Sequence, residues 1–286
     1  MRMLQVIISP AKQMEVRADA FAPYGIPPFP GKTAHLLEAL RDIERERGAA
    51  GLKELWRVND RLLTENMERL HAFEPVEDER QLDDPAIARL VGPAVFSYVG
   101  IQYRSLAPDV LDLDALNWLE SHLWVLSGFY GCIRPFDAVQ PYRLEMGAKL
   151  ALDGSRDLYG FWGDAIAREI VRASAAGGGR PAGLVNLASV EYAKAVLPHL
   201  PESVPVTTCI FSEELRGGRP VQRATASKIA RGSMVRWMAE RGIEDAEDLT
   251  GFDVGYTFAP EFSSGMESAG GKNTGDLART LVFTKR

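Results

Sequence analysis

Cysteine is nearly absent: Cys132 and Cys209 are the only two in 286 residues. That excludes a disulfide framework as the source of stability and points to a reducing compartment. Histidine is also scarce. His35, His71, His122 and His199 are scattered without metal-ligand spacing, and the two cysteines are far apart, so no metal site is expected. Long hydrophobic runs are missing. The apolar start, Met1 to Ile8, is too short for a signal peptide, and no stretch approaches a membrane span. A cytoplasmic protein with no membrane partner is expected. Familiar catalytic signatures are lacking too. There is no Gly-x-Ser-x-Gly elbow. Gly270-Gly271-Lys272-Asn273 has neither the upstream glycine nor the hydroxyl of a phosphate loop. Gly177-Gly178-Gly179 follows a helical pattern instead of joining strand to helix, so it is no dinucleotide fingerprint. No cofactor is expected.

What is present is an ordinary soluble composition, 46% apolar and 25% charged. A compact chain of this size buries roughly three quarters of its extended surface, enough for a substantial core. The net charge of −6 weighs against non-specific nucleic-acid binding. The charge is uneven, however. From Arg216 to Arg241 there are six arginines and Lys228 against one acid, Glu240, while Gly242 to Gly271 carries acids and no Lys or Arg. An acidic protein of this kind can still present a basic face.

Leu4–Ile8 reads as a buried strand, and Lys32–Arg47 as a helix stopped by Gly48. Val58–Phe73 reads as an amphipathic helix or a helix pair, Glu74–Asp84 as an acidic loop and Ala94–Tyr98 as a short strand. Asp112 is placed to cap a helix running to His122. Leu123–Leu126 reads as a strand, Phe161–Ala176 as a helix, Leu184–Leu187 as a strand and Val190–Val196 as a helix. Val206–Phe211 reads as a strand, with a hairpin turn at Gly217-Gly218. Thr225–Arg241 reads as a helix ended by Gly242, and strands near Val254–Phe258 and Thr280–Phe283 close the chain. Strands and helices mix without a clean βαβ repeat, an internal repeat or a linker. The expected class is α/β (mixed α+β), one domain over residues 1–286 with a mixed sheet flanked by helices.

The most informative stretch is Ser127-Gly128-Phe129-Tyr130-Gly131-Cys132-Ile133-Arg134-Pro135-Phe136-Asp137, continuing through Pro141-Tyr142-Arg143-Leu144-Glu145-Met146-Gly147. An apolar strand enters it, and glycines, arginines, tyrosines and acids at a strand exit suit a ligand site. Arg143 and Glu145 are two apart, so on an extended segment they share one face. They form an ion pair there, or Arg143 holds a phosphate or carboxylate. Ser9-Pro10-Ala11-Lys12 follows the first strand and suits an anion, or is an ordinary turn. Asn186 to Ser189, with Glu191 and Tyr192, is another strand exit whose Asn186 and Ser189 bind a ligand or cap the next helix. Lys228 and Arg231 share a helix face.

These motifs, in this order and with Leu158-Tyr159, Phe161 to Asp164, Thr250-Gly251-Phe252 and Gly255-Tyr256, resemble the bacterial YaaA family of peroxide stress proteins over nearly the whole chain. The resemblance implies a cytosolic oxidative stress response protein with an unusual α/β fold and a basic cleft. It also implies DNA binding and a link to limiting free iron. A helix-hairpin-helix-like element is expected near Leu55–Phe73. Asn59, Arg61 and Leu63 depart from the family pattern there, Glu65 and Glu68 add negative charge, and no hairpin glycine is evident. Ser263–Asp276 looks like an insertion.

Two functions compete. In the first, Ser9, Lys12, Arg134, Tyr142, Arg143, Asn186, Ser189, Lys228 and Arg231 line a cleft for double-stranded or branched DNA, without sequence preference. In the second, the strand-exit motifs form a pocket for a small phosphorylated or nucleotide-like ligand. There Lys12 and Arg143 hold the anion, Glu145 is general acid or base, and Tyr130 or Tyr192 stacks on a base. A deep pocket favours the second and a broad groove the first. The family resemblance favours DNA.

Overall fold

Leu4–Ile8 is strand β1, and all five of its residues are buried. In the computed structural model, which describes residues 3–17, 21–175, 183–265 and 278–286, β1 lies inside a seven-stranded mixed sheet. The other strands are β2 (Leu123–Ser127), β3 (Gly131–Ile133), β4 (Gly183–Leu187), β5 (Val206–Ser212), β6 (Tyr256–Phe258) and β7 (Ala278–Lys285). The order is β6-β7-β5-β4-β1-β2-β3. The five central strands are parallel, and β6 and β3 run antiparallel at the edges. Near-continuous apolar runs in β1 and β2 suit central parallel strands, which are covered on both faces.

The main helices are α1 (Pro30–Trp56), α2 (Asp60–Ala72), α3 (Ile101–Leu106), α4 (Leu113–His122), α5 (Ala165–Ala175) and α6 (Ala224–Arg241). Gly48 interrupts α1 with φ 62° and ψ −166°, a backbone state that glycine alone adopts readily. The helix read to Arg47 thus continues as a second segment to Trp56. Asp112 caps α4 by accepting from the Ala115 N–H, and Asn59 caps α2 by accepting from the Leu62 N–H. No glycine turns the chain between α1 and α2; Arg57 takes the left-handed conformation itself, at φ 50°.

Three local expectations are corrected. Ala94–Ser97 is one helical turn, not a strand. Its first N–H groups bond outward to the Asp137 and Pro135 carbonyls, and the Ser97 hydroxyl closes the turn on the Pro93 carbonyl. The helix expected over Phe161–Ala176 is two pieces, Leu158–Trp162 and α5, parted by Gly163 at φ 50°. The helix expected over Val190–Val196 stops at Ala193. Gly177-Gly178-Gly179, Gly270 to Asn273 and most of Ser263–Asp276 lie outside the described residues.

Two glycines set distances that matter for the site. A Cβ on Gly232 of α6 would sit 2.0 Å from the Gln102 carbonyl oxygen of α3, so the two helices touch backbone to backbone. A Cβ on Gly128 would sit 2.7 Å from the Leu144 carbonyl oxygen, so residues 144–146 lie directly over the end of β2. Among the described residues no helix is long and apolar enough to cross a membrane.

Candidate anion-binding cleft

β1 and β4 are neighbours in the sheet, yet β1 leads on to β2 on one side and β4 to β5 on the other. Chains that leave in opposite directions open a crevice at the carboxyl ends of the strands. A cleft of about 500 Å³ lies there, the size of a small-molecule site.

Its floor is built from the two strand exits. The Ser9 Oγ accepts the Ser189 N–H at 2.8 Å and lies 3.2 Å from the Ser189 Oγ. The Ser9 carbonyl accepts from the Gln102 amide at 3.0 Å and the Tyr103 hydroxyl at 3.1 Å. Tyr142 adds a buried ring. Its hydroxyl pairs with Ser127 at 2.6 Å and Tyr98 at 3.0 Å, and burial pushes it up to about 12, partly offset by the hydrogen bonds from those hydroxyls. Tyr192 also lines the cleft, and burial raises its hydroxyl well above the ordinary value.

One wall is the extended segment 142–146, in which Tyr142, Leu144 and Met146 are buried while Arg143 and Glu145 face the cleft. The shared face expected from their spacing is present: Arg143 Nη2 lies 2.7 Å from Glu145 Oε1. Lys12 completes the group, with its Nζ 2.8 Å from Glu145 Oε2. Glu145 therefore bridges two cations, one exposed (Lys12, 64%) and one nearly buried (Arg143, 10%).

The opposite wall comes from α6. Lys228 and Arg231 both line the cleft, as their spacing of three implies. Neither has a carboxylate partner among the described residues. The Arg231 Nε is buried with no acceptor, and burial lowers the pKa of that guanidinium. α2 supplies a third side through Glu65, Asn66 and Arg69, where Glu65 and Arg69 pair at 2.5 Å.

Three residues expected at the site are used elsewhere. The Arg134 guanidinium stacks 3.7 Å over the Trp124 ring and donates to the Ser121 and Leu123 carbonyls, beside buried Asp137, whose carboxyl burial pushes up to about 7. Asn186 accepts the Ala188 N–H and donates to Thr208, holding the β4 exit without lining the cleft. Tyr130 is buried, with its hydroxyl exchanging hydrogen bonds with the Gln140 backbone. It is therefore not a candidate for stacking on a base. Arg69, Asn66 and Gln102 line the cleft without having been singled out. The i, i+4 pair Glu65–Arg69 is the one local signal for α2; Gln102 arrives only through the packing of α3 on α6.

Most of the strongly basic stretch 216–241 is already engaged, while Arg219 is exposed without a partner among the described residues. Arg216 and Arg223 share Glu214, Arg236 pairs with Glu240, and Arg241 lies over the Trp237 ring. Lys228 and Arg231 are the members that line the cleft.

Comparison with known proteins agrees over almost the whole length. A family model described as "Peroxide stress protein YaaA" matches residues 4–262. A UPF0246 protein of Pediococcus pentosaceus is 37% identical over 262 residues, covering 91% of this chain and 95% of that protein. One from Lachnoclostridium phytofermentans is 37% identical, covering 87% and 89%. One from Lactobacillus delbrueckii subsp. bulgaricus is 38% identical, covering 91% and 96%.

Proposed function

The chain belongs to the peroxide stress protein YaaA family, and from that premise we propose that its cleft receives a small phosphate-bearing, nucleotide-like ligand. The observation that carries this reading is Arg231. A partly buried guanidinium with no carboxylate and no acceptor for its Nε is costly unless an anion arrives to pair with it. Lys228 lies one helical turn away on the same wall, and Ser9 and Ser189 offer hydroxyls on the floor. The cleft volume suits a nucleotide-sized molecule. The protein would act in the cytoplasm during oxidative stress. Among the described residues, no group of three His, Cys, Asp or Glu side chains is placed to hold a metal ion, so the reading runs through no bound iron.

Duplex or branched DNA is the second source of the same phosphate chemistry, and would link the cleft to limiting oxidative damage. It is favoured by the exposure of Lys12 and Lys228 along the cleft. It is disfavoured by the engagement of Arg216, Arg223, Arg236 and Arg241 with carboxylates and rings. Calorimetric titration separates the two. Wild type and Lys228→Ala/Arg231→Ala are titrated with inorganic phosphate, a nucleoside monophosphate and a short duplex across a salt series. A saturable one-to-one nucleotide isotherm, weakened about tenfold or more in the double variant, is expected for two lost charge-assisted contacts. Tight duplex binding whose steep salt slope flattens in the variant would move the assignment to DNA. No saturable phosphate or nucleotide binding would remove the small-ligand reading.

A further inference from the structure

The cleft carboxylates are not equivalent. Glu65 pairs with Arg69, and Glu145 with Lys12 and Arg143. Glu191 has no cationic partner among the described residues. One of its oxygens, Oε1, accepts the Gly147 N–H at 2.8 Å, which orients the carboxylate. A Cβ on residue 147 would lie 3.1 Å from that oxygen, so glycine permits the approach. The other oxygen, Oε2, has no partner among the described residues, although the residue lines the cleft. The cleft thus holds an uncommitted pair of cations, Lys228 and Arg231, and one uncommitted acceptor.

Resting on the phosphate reading, we infer that the ligand of this cleft is a ribonucleotide, its phosphate held by Lys228 and Arg231 and its ribose diol read by Glu191. An ionised carboxylate only accepts hydrogen bonds, so the ligand group opposite it must donate. Cations outnumber carboxylates along the cleft, so a neutral donor is favoured over an ammonium group. Two vicinal hydroxyls meet that need: they are neutral, they donate, and an acidic side chain commonly selects them in nucleotide sites. A DNA backbone has no such diol, and a bare carboxylate beside its phosphates would repel them.

The test is a titration of the full chain with inorganic phosphate, adenosine 5′-monophosphate and its 2′-deoxy counterpart, repeated for the two nucleotides with Glu191→Gln. Thermal melts check that the variant is folded, and Glu191→Asp serves as a second, charge-preserving variant should Gln fail to fold. Wild type should prefer the ribo form by about tenfold, the scale of one hydrogen bond to a charged group. That ratio should fall to about one in Glu191→Gln, or shrink in Glu191→Asp as the shorter carboxylate withdraws. Equal binding of the two nucleotides by wild type, with phosphate still bound, overturns the diol assignment alone. A ribo preference that survives in Glu191→Gln overturns the role of Glu191. Absence of phosphate and nucleotide binding overturns this inference together with the reading on which it rests.

Discussion

The two walls of the cleft carry similar cations in opposite electrostatic conditions. On the first wall, Arg143 of the segment 142–146 and Lys12 from the β1 exit share one carboxylate, Glu145. On α6, Lys228 and Arg231 meet no carboxylate among the described residues. The first wall's cations are already paired and oriented without a ligand, although one carboxylate serves both and the Arg143 Nε is buried without an acceptor. The second is incomplete, so its charges are available to an incoming anion. A sum of basic residues along the sequence misses this distinction, because most arginines near Lys228 are engaged with carboxylates or a ring.

The sharpest way to break the comparison is to move the second wall. Gly232→Ala places a methyl 2.0 Å from the Gln102 carbonyl oxygen, a backbone contact that no side-chain rotation relieves. It should cost about 3 kcal/mol or more, the upper range for overpacking, seen as an earlier urea midpoint with unchanged m-value. Smaller but more diagnostic is Arg231→Ala. Removing a partly buried, unpaired charge should leave the free protein as stable as wild type or more so, while phosphate affinity falls about tenfold or more. A stability loss above about 1 kcal/mol in a urea melt would mean that Arg231 is structural and that the walls do not differ.

Tyr142→Phe tests the floor shared by both walls. The buried Ser127 and Tyr98 hydroxyls each lose a partner, so a loss of about 1–2 kcal/mol in thermal stability is expected. Unchanged stability would show the hydroxyl triad to be dispensable. The smallest effect belongs to Glu145→Gln. It should cost at most about 1 kcal/mol, because the pair with exposed Lys12 is screened by solvent and the glutamine amide oxygen still accepts from nearly buried Arg143. It should also raise phosphate affinity severalfold by freeing Lys12 and Arg143. Weaker phosphate binding in Glu145→Gln would show that the first wall depends on its carboxylate to present the cations.

Legibility in the sequence followed the range of the interaction. The central strands declared themselves as continuous apolar runs, the α4 cap as Asp112, and the common faces of Arg143 with Glu145 and of Lys228 with Arg231 as spacings. Each depends on residues only a few positions apart. Arg134, Asn186 and Tyr130 carry the same functional groups as cleft residues but were drawn into structural bonds by partners that adjacency does not reveal: Trp124, Thr208 and Gln140. Ala94–Tyr98 was apolar enough for a strand, but its N–H groups found acceptors in residues 135–137. Arg69 and Gln102 had no local signature of cleft membership, since α2 and α3 reach the cleft only by tertiary packing.

The cleft is assembled from six stretches separated along the chain, at residues 9–13, 62–69, 99–102, 142–145, 189–192 and 228–231. Such a site cannot exist in a partly folded chain, because its contacts have high sequence separation and form only when the loops between them close. The ligand should therefore act on the global unfolding equilibrium: at a hundredfold excess over its Kd, it would add about 2.7 kcal/mol of stability. The same linkage would slow proteolysis at buried sites cut only through global unfolding, so that occupancy of the cleft could be read from the lifetime of the chain.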